Sequence, residues 1–281
     1  MKPPSFEYSR PATIADAVSM IAQGGDDAKV LAGGQSLIPL LNFRLAAPRL
    51  LVDLNRVTEL VYTRRDNGML RFGAMTRTRE VETSRTVADA NPLLAHAARW
   101  IGHVQIRNRG TVGGSVAHAD PAAELPALSV LLGAELKVVS PRGERTLPAE
   151  GFFHGLMTTG LAVDELLVEV AIPALPHGAR WGFREFAQRH GDFAVAGAAC
   201  MLSGDNARVV IFGVSDAPVR CLTAERELTG KLDAAAVDAA VGRAREQLAN
   251  TDDGGRRTYE REVAEAMLRR ALEDAAGRGE S

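Results

Sequence analysis

The sequence predicts an α+β protein made of two units. Three features of its pattern say so. Short apolar runs of strand length alternate with amphipathic helical stretches over the first 170 or so residues. The segment Pro173-Ala174-Leu175-Pro176-His177-Gly178 then interrupts all periodicity, as a linker does. Beyond it, three strand-like runs are followed by helical sequence to the end.

The elements follow in order. Thr13-Ile14-Ala15-Asp16 resembles a capping box with Asp in place of Glu. Ile14, Ala17, Val18 and Ile21 continue at helical spacing until Gly24-Gly25 end the helix. Lys29 to Ala32 reads as a short buried strand that runs directly into Gly33-Gly34-Gln35-Ser36. Leu37 to Leu41 follows as a short helix, and Leu50 to Leu54 as a second strand. Leu70 to Ala74 alternates as a strand, and Pro92 to Trp100 is helical in pattern. Gly110 to Ser115 is a second glycine loop, ahead of a helix over Pro121 to Leu132. Glu135 to Val139 and Leu166 to Ile172 are strands, the latter closed by Pro173. The second unit has strands near 180–188, 194–202 and 207–213, then helices near 222–229, 233–249 and 257–275. Asp252-Asp253-Gly254-Gly255 separates the last two helices. The expected division is thus 1–176 and 177–281, the first with subparts of about 1–56 and 57–176.

Composition narrows the function. The formal net charge of the 281 residues is −2 at neutral pH, which leaves no electrostatic footprint for nucleic acid. Arg64-Arg65 and Arg256-Arg257 read as solvated surface, with acidic residues nearby. No apolar run is long enough to span a bilayer, and the N-terminus lacks a signal-like stretch, so a cytoplasmic protein is expected. Cys200 and Cys221 are the only cysteines and form no CxxC pair, too few for an iron–sulfur cluster or structural zinc of the usual kind. His103, His118, His154 and His190 have no compact ligand spacing, so no metal site is expected.

The chemistry then rests on two glycine loops, Ala32-Gly33-Gly34-Gln35-Ser36 and Thr111-Val112-Gly113-Gly114-Ser115. Adjacent glycines let backbone approach a ligand closely and let successive N–H groups form an anion-binding nest. Ser36, Thr111 and Ser115 add hydroxyl donors. Two such loops could close on a pyrophosphate from both sides. Neither loop contains Lys or Arg. Neither matches G-x-G-x-x-G or G-x-x-x-x-G-K-[ST], which disfavours Rossmann and P-loop folds. From the residues alone, each loop reads first as a simple turn, with a ligand site as the alternative.

These same residues carry a family resemblance. Ala32-Gly33-Gly34-Gln35-Ser36-Leu37 resembles the AGG[HQ]SL motif of the FAD-binding medium subunits of molybdenum hydroxylases, the carbon monoxide dehydrogenase medium subunit and xanthine dehydrogenase flavin-domain family. Ile106-Arg107-Asn108-Arg109-Gly110-Thr111-Val112-Gly113-Gly114-Ser115 is similar to its second motif, [VI]RN-x-GT-[IV]-GG-[SN]. Ala117 to Glu124 is close to AHADPAAD, with Glu124 where Asp is usual. Gly191-Asp192-Phe193-Ala194 resembles its GD-aromatic-A element. The resemblance runs in register from about residue 4 to the C-terminal helices.

It implies a vanillyl-alcohol-oxidase (PCMH)-type FAD-binding domain in two α/β parts, then a C-terminal domain with a three-stranded antiparallel sheet and helices. It places residues 31–37 (Leu31, Ala32, Gly33, Gly34, Gln35, Ser36, Leu37) and 111–115 (Thr111, Val112, Gly113, Gly114, Ser115) on the FAD pyrophosphate. It places Ile101 and Phe193 near the isoalloxazine, Glu124 on ribose or adjacent groups, Leu167 along the cofactor and Arg184 near the flavin ring or phosphates. By residue type alone, Ile101 and Leu167 read as ordinary core. A covalent flavin is not expected.

The resemblance also implies partners: a small subunit with two two-iron two-sulfur clusters and a large molybdopterin subunit, in a dimer of heterotrimers. This chain would carry no catalytic side chain. It would pass electrons to quinone, NAD or oxygen, in the cytoplasm or at the inner face of the membrane. Gln35, where carbon monoxide enzymes typically have His, favours a hydroxylase that does not act on carbon monoxide. The rival readings are a stand-alone FAD-dependent small-molecule oxidoreductase and a nucleotide-binding module without flavin.

Overall fold

The computed structural model describes residues 2–229, 232–249 and 258–277. Asp252-Asp253-Gly254-Gly255 and Arg256-Arg257 lie outside the described residues. The chain opens with β1 (Glu7–Ser9), α1 (Ile14–Gly24), β2 (Ala28–Leu31), α2 (Leu37–Asn42) and β3 (Leu50–Asp53). The capping box forms with Asp in the Glu position: the Asp16 N–H donates to Thr13 Oγ1 at 3.1 Å, and the Thr13 hydroxyl donates to the Asp16 carboxylate at 2.7 Å. Ala17, Val18 and Ile21 form the buried stripe of α1. β3 lies between β1 and β2 in a parallel sheet. At three residues, β1 is too short to show a strand pattern in sequence.

The second part runs through β4 (Thr63–Asp66) and β5 (Met69–Gly73). It continues through six helices: α3 (Thr78–Thr83), α4 (Arg85–Ala90), α5 (Pro92–Ala97), α6 (Val104–Arg107), α7 (Val112–His118) and α8 (Glu124–Leu132). Five strands follow: β6 (Glu135–Ser140), β7 (Gly143–Pro148), β8 (Phe153–Gly155), β9 (Thr158–Thr159) and β10 (Leu166–Pro173). β4, β5, β10, β6 and β7 make an antiparallel sheet in that order. β10 is its centre. Leu167, Val170 and Ile172 enter the main core on one face, while Leu166 and Val168 enter a smaller core under α1 on the other. Burial on both faces is why Leu166 to Ile172 is apolar at every position but Glu169, whose buried carboxylate accepts from Tyr62, Arg64 and Arg71.

The third part is β11 (Arg180–Phe186), β12 (Ala196–Ser203), β13 (Asn206–Phe212) and β14 (Val219–Arg220), then α9 (Leu222–Glu227), α10 (Ala234–Ala249) and α11 (Thr258–Gly277). The strands pair antiparallel in that order, so the three expected strands are joined by a two-residue fourth. Ala198, Cys200 and Leu202 face α11 on one side of the sheet. Phe183, Ala199 and Phe212 on the other side join the main core with residues of α5 and α8. Both cysteines are buried, and burial pushes the Cys221 thiol up to about 12, which removes it from thiolate chemistry at neutral pH. Among the described residues, no helix is long and apolar enough to cross a membrane. No group of three or more His, Cys, Asp or Glu there could hold a metal ion.

Candidate functional site

The first glycine segment is a true loop between β2 and α2. Gly34 has φ +75°, a conformation that costs a side chain-bearing residue 1–2 kcal/mol or so. The backbone N–H groups of Gly33, Gly34, Gln35, Ser36 and Leu37 donate to no group among the described residues. The Gln35 side chain turns back, its amide donating to the Gly33 carbonyl at 3.0 Å. A row of uncommitted N–H groups, with a carbonyl tied back, is an anion-accepting surface.

The second segment differs from its sequence expectation. Val112 to Ser115 is not a loop but the first turn of α7, because Thr111 is its N-cap. Its N–H groups are committed. Val112 donates to Thr76 O, Gly113 to Ala74 O, Gly114 to Thr111 Oγ1 and Ser115 to Thr111 O, all at 2.9–3.1 Å. What this segment can still offer a ligand is the Thr111 and Ser115 hydroxyls. Its glycines serve packing. A Cβ on Gly113 would meet Ala74 Cα at 2.7 Å. One on Gly114 would meet Thr111 Oγ1 at 2.6 Å and Ala32 Cβ at 3.3 Å, and one on Gly33 would meet Gly110 Cα at 2.8 Å. The two segments are therefore in direct contact, and the absent side chains are what allow it.

A second cluster gathers around Ile101. Arg107, buried in α6, donates to the carbonyls of Ile101 (3.1 Å) and Gly102 (2.7 Å) and pairs with Glu82 at 2.7 Å. This fixes the turn between α5 and α6. The segment carrying Gly191-Asp192-Phe193 packs onto that turn: a Cβ on Gly191 would lie 3.1 Å from Gly102 C. His190 meets Trp100 edge-on, with ring centroids 5.6 Å apart. Ile101 is half-buried, whereas Phe193 is 65% exposed, a large aromatic presented to solvent. Leu167 is buried in the main core on β10, against which α7 packs.

Strand register separates two neighbouring residues. On β11, Trp181 and Phe183 face the main core, while Gly182 packs on Ala271 of α11. By the period of two, Arg184 shares the α11 face, and its guanidinium pairs with Asp274 at 2.8 Å. Arg184 is not brought together with the loops. Glu185, which the sequence reading passed over, faces the other way toward Glu124 at the start of α8. Both are buried, and Glu185 Oε2 has no hydrogen-bond partner among the described residues. Burial raises Glu124 to about 7, with Asp120 adding to the shift, and raises Glu185 to about 9, with Glu124 adding to it.

The sign of this effect on stability is fixed. A carboxyl raised above its ordinary 4.5 disfavours the folded state once the unfolded chain can ionise. The flavin-free chain should therefore lose stability as pH rises from about 5 to about 9. Glu185→Gln should raise the melting temperature at pH 8, flatten the profile and change nothing at pH 4. Superimposable melting profiles for the two proteins would show that Glu185 is not held protonated.

These residues fit a dinucleotide flavin. The free N–H row suits a pyrophosphate, the orphaned Glu185 oxygen and Glu124 suit hydroxyl donors, and Ile101 on its turn and the exposed Phe193 ring each offer apolar surface. Comparison with known proteins agrees. Residues 4–175 match the family described as FAD binding domain in molybdopterin dehydrogenase, and residues 181–275 match the CO dehydrogenase flavoprotein C-terminal domain. The chain is 46% identical to the 6-hydroxypseudooxynicotine dehydrogenase complex subunit alpha of Paenarthrobacter nicotinovorans, across 81% of this chain and 79% of that one. It is 41% identical to the caffeine dehydrogenase subunit beta of Pseudomonas sp. (strain CBB1), across 82% and 80%. Among solved structures, carbon monoxide dehydrogenase from Hydrogenophaga pseudoflava superimposes with a TM-score of 0.93 at 39% identity over 99% of both chains. Quinoline 2-oxidoreductase from Pseudomonas putida 86 gives 0.90 at 38% identity, covering 99% of this chain and 100% of that one.

Proposed function

The chain belongs to the family of FAD-binding medium subunits of molybdenum hydroxylases, and from that membership we propose that it holds FAD across the two glycine segments as an electron relay, leaving the substrate to partner subunits. The observation that carries the reading is the asymmetry of the cradle. Residues 31–37 offer uncommitted N–H groups, while residues 111–115 brace them and add the Thr111 and Ser115 hydroxyls. Ile101 and Phe193 flank the ring system, Leu167 supports α7 from below, and Glu124 with Glu185 receives hydroxyl groups of the cofactor. Arg184, expected at the flavin ring or phosphates, pairs with Asp274 on the α11 face.

Bound FAD supplies acceptance of electrons singly or in pairs. This chain's own residues position and shield, and none acts as nucleophile or general base. The clusters and molybdopterin belong to a small and a large subunit, in a dimer of heterotrimers in the cytoplasm or at the inner membrane face. Quinone, NAD or oxygen takes the electrons. Cys200 in β12 and Cys221 before α9 are both buried, and two cysteines fall short of the four ligands such a cluster usually takes. The relatives named for 6-hydroxypseudooxynicotine and caffeine favour an N-heterocyclic substrate for the complex. The division near residue 176 separates the cradle from the unit carrying Phe193.

Purified full-length chain should be yellow and release FAD in a 1:1 ratio on denaturation. Protein that binds no flavin would refute the reading. Phe193→Ala should leave FAD bound, since stacking contributes only about 0.5–1.5 kcal/mol beyond burial. It should instead speed reoxidation by oxygen, measured by stopped flow on the reduced protein. Unchanged rates with oxygen, quinone and NAD would remove Phe193 from the acceptor side.

A further inference from the structure

Neither glycine segment contains a cation, yet the fold brings one to their junction. Arg77, in the turn before α3, donates from one guanidinium nitrogen to the carbonyl of Arg109, at the entry to the second segment. Its other terminal nitrogen donates to Asn55 Oδ1 at 2.7 Å. Asn55 in turn donates from Nδ2 to the carbonyl of Ala32, in the first segment, at 3.1 Å. Its second Nδ2 hydrogen goes to Asp53 Oδ1 at 2.6 Å. One connected chain of hydrogen bonds therefore runs from the Ala32 carbonyl through Asn55 and Arg77 to the Arg109 carbonyl. It holds both carbonyl oxygens away from the free N–H row between them.

The charge of Arg77 is the second observation. Among the described residues it makes no ion pair with a carboxylate, and neither does Arg109. Asp53 acts on Arg77 from a distance, but its carboxylate is already engaged by Tyr8, Asn55 and Arg10. Arg77 is half-buried, and burial together with the neighbouring Arg109 charge disfavours its protonated form. Two positive charges held close to an anion-accepting loop, without a carboxylate of their own, call for an anion.

We propose that Arg77, acting with Asn55, is the positioning residue of the cofactor cradle: it locks the two glycine segments in register and supplies the counter-charge for a diphosphate. This rests on the FAD reading above. The hydrogen-bond chain sets geometry, and the uncompensated charge sets preference for a dianionic group, so the two contributions can be separated by mutation.

The test is FAD affinity of the full-length, flavin-stripped chain, from quenching of flavin fluorescence between about 20 and 500 mM salt, a range over which exposed charges become screened. Arg77→Met should weaken FAD binding by about tenfold to a hundredfold and flatten its salt dependence, because a charge has gone. Arg77→Lys should keep the salt dependence but recover only part of the affinity, since an ammonium lacks the planar fork. Asn55→Ser should weaken binding with the salt dependence unchanged. Melting temperatures of the flavin-free variants should stay near that of the parent, which a purely structural role would not allow. Arg77→Met with affinity and salt dependence within twofold of the parent would overturn the proposal. A parent chain that binds no FAD at all would instead refute the cofactor reading and the proposal with it.

Discussion

Gly33→Val should lower FAD affinity by about a hundredfold, roughly 2.7 kcal/mol, while leaving a folded chain. The reason lies between the two segments. The Cβ direction of Gly33 points into the backbone of the second segment, at the Arg109 carbonyl and 2.8 Å from Gly110 Cα. Backbone atoms cannot turn aside as a side chain can, so a valine there forces the segments apart. The N–H row then loses its brace and its geometry for the phosphates. Overpacking of this kind costs about 1–3 kcal/mol of stability, a drop of less than roughly 12 °C in melting temperature. Gly114→Val should act in the same direction through Ala32, whose Cβ lies 3.3 Å from the new atom. Flavin absorbance per mole of purified protein reads the outcome. Full FAD occupancy in the Gly33 variant would mean the segments do not clamp the cofactor.

Arg107→Met is expected to destabilise the chain by about 3 kcal/mol and to release FAD as well. The Arg107 and Glu82 side chains are only 8% and 11% exposed. Removing the guanidinium strands two carbonyls, those of Ile101 and Gly102, in the turn that presents Ile101. Glu82 keeps a second partner in Arg79 at 2.7 Å, which holds the loss at the lower end of the range for a broken buried pair. A melting temperature lower by roughly 6–12 °C is expected for a chain of this size. Arg85→Ala is the comparison: its ion pair with Asp89 is 94% and 65% exposed and should contribute under about 0.5 kcal/mol. Equal melting temperatures for the two variants would mean that Arg107 does not hold the turn.

The sequence made the larger elements legible because each has a local signal. Thr13 and Asp16 announce α1, and the double-sided burial of β10 writes itself as an apolar run broken only at Glu169. The short strands β1 and β14 have no such signal, since two or three residues cannot show a period. The second glycine segment was misread as a loop because glycine pairs suggest turns. The deciding contact, Thr111 capping Gly114, depends on the direction of the chain. The contrast between Arg184 and Glu185 is a matter of strand parity. A shift of one residue exchanges the two faces, and only the register with β12 settles which side chain meets α8. Arg77 and Asn55 were invisible for another reason: each is an ordinary polar residue far from the glycines in sequence, and only the fold brings them to the junction. Arg107 stood inside a recognised motif, yet its burial and its two carbonyl partners could be seen only in three dimensions.

The central claim is that this chain relays electrons and does not itself oxidise the organic substrate. Anaerobic flavin bleaching tests it most directly, with an N-heterocyclic substrate added first to the FAD-loaded chain alone and then to the chain assembled with its iron–sulfur and molybdopterin subunits. The account predicts an oxidised flavin spectrum in the first case and rapid loss of flavin absorbance in the second. Bleaching by substrate in the chain alone would contradict it and make the protein a self-sufficient flavin oxidoreductase.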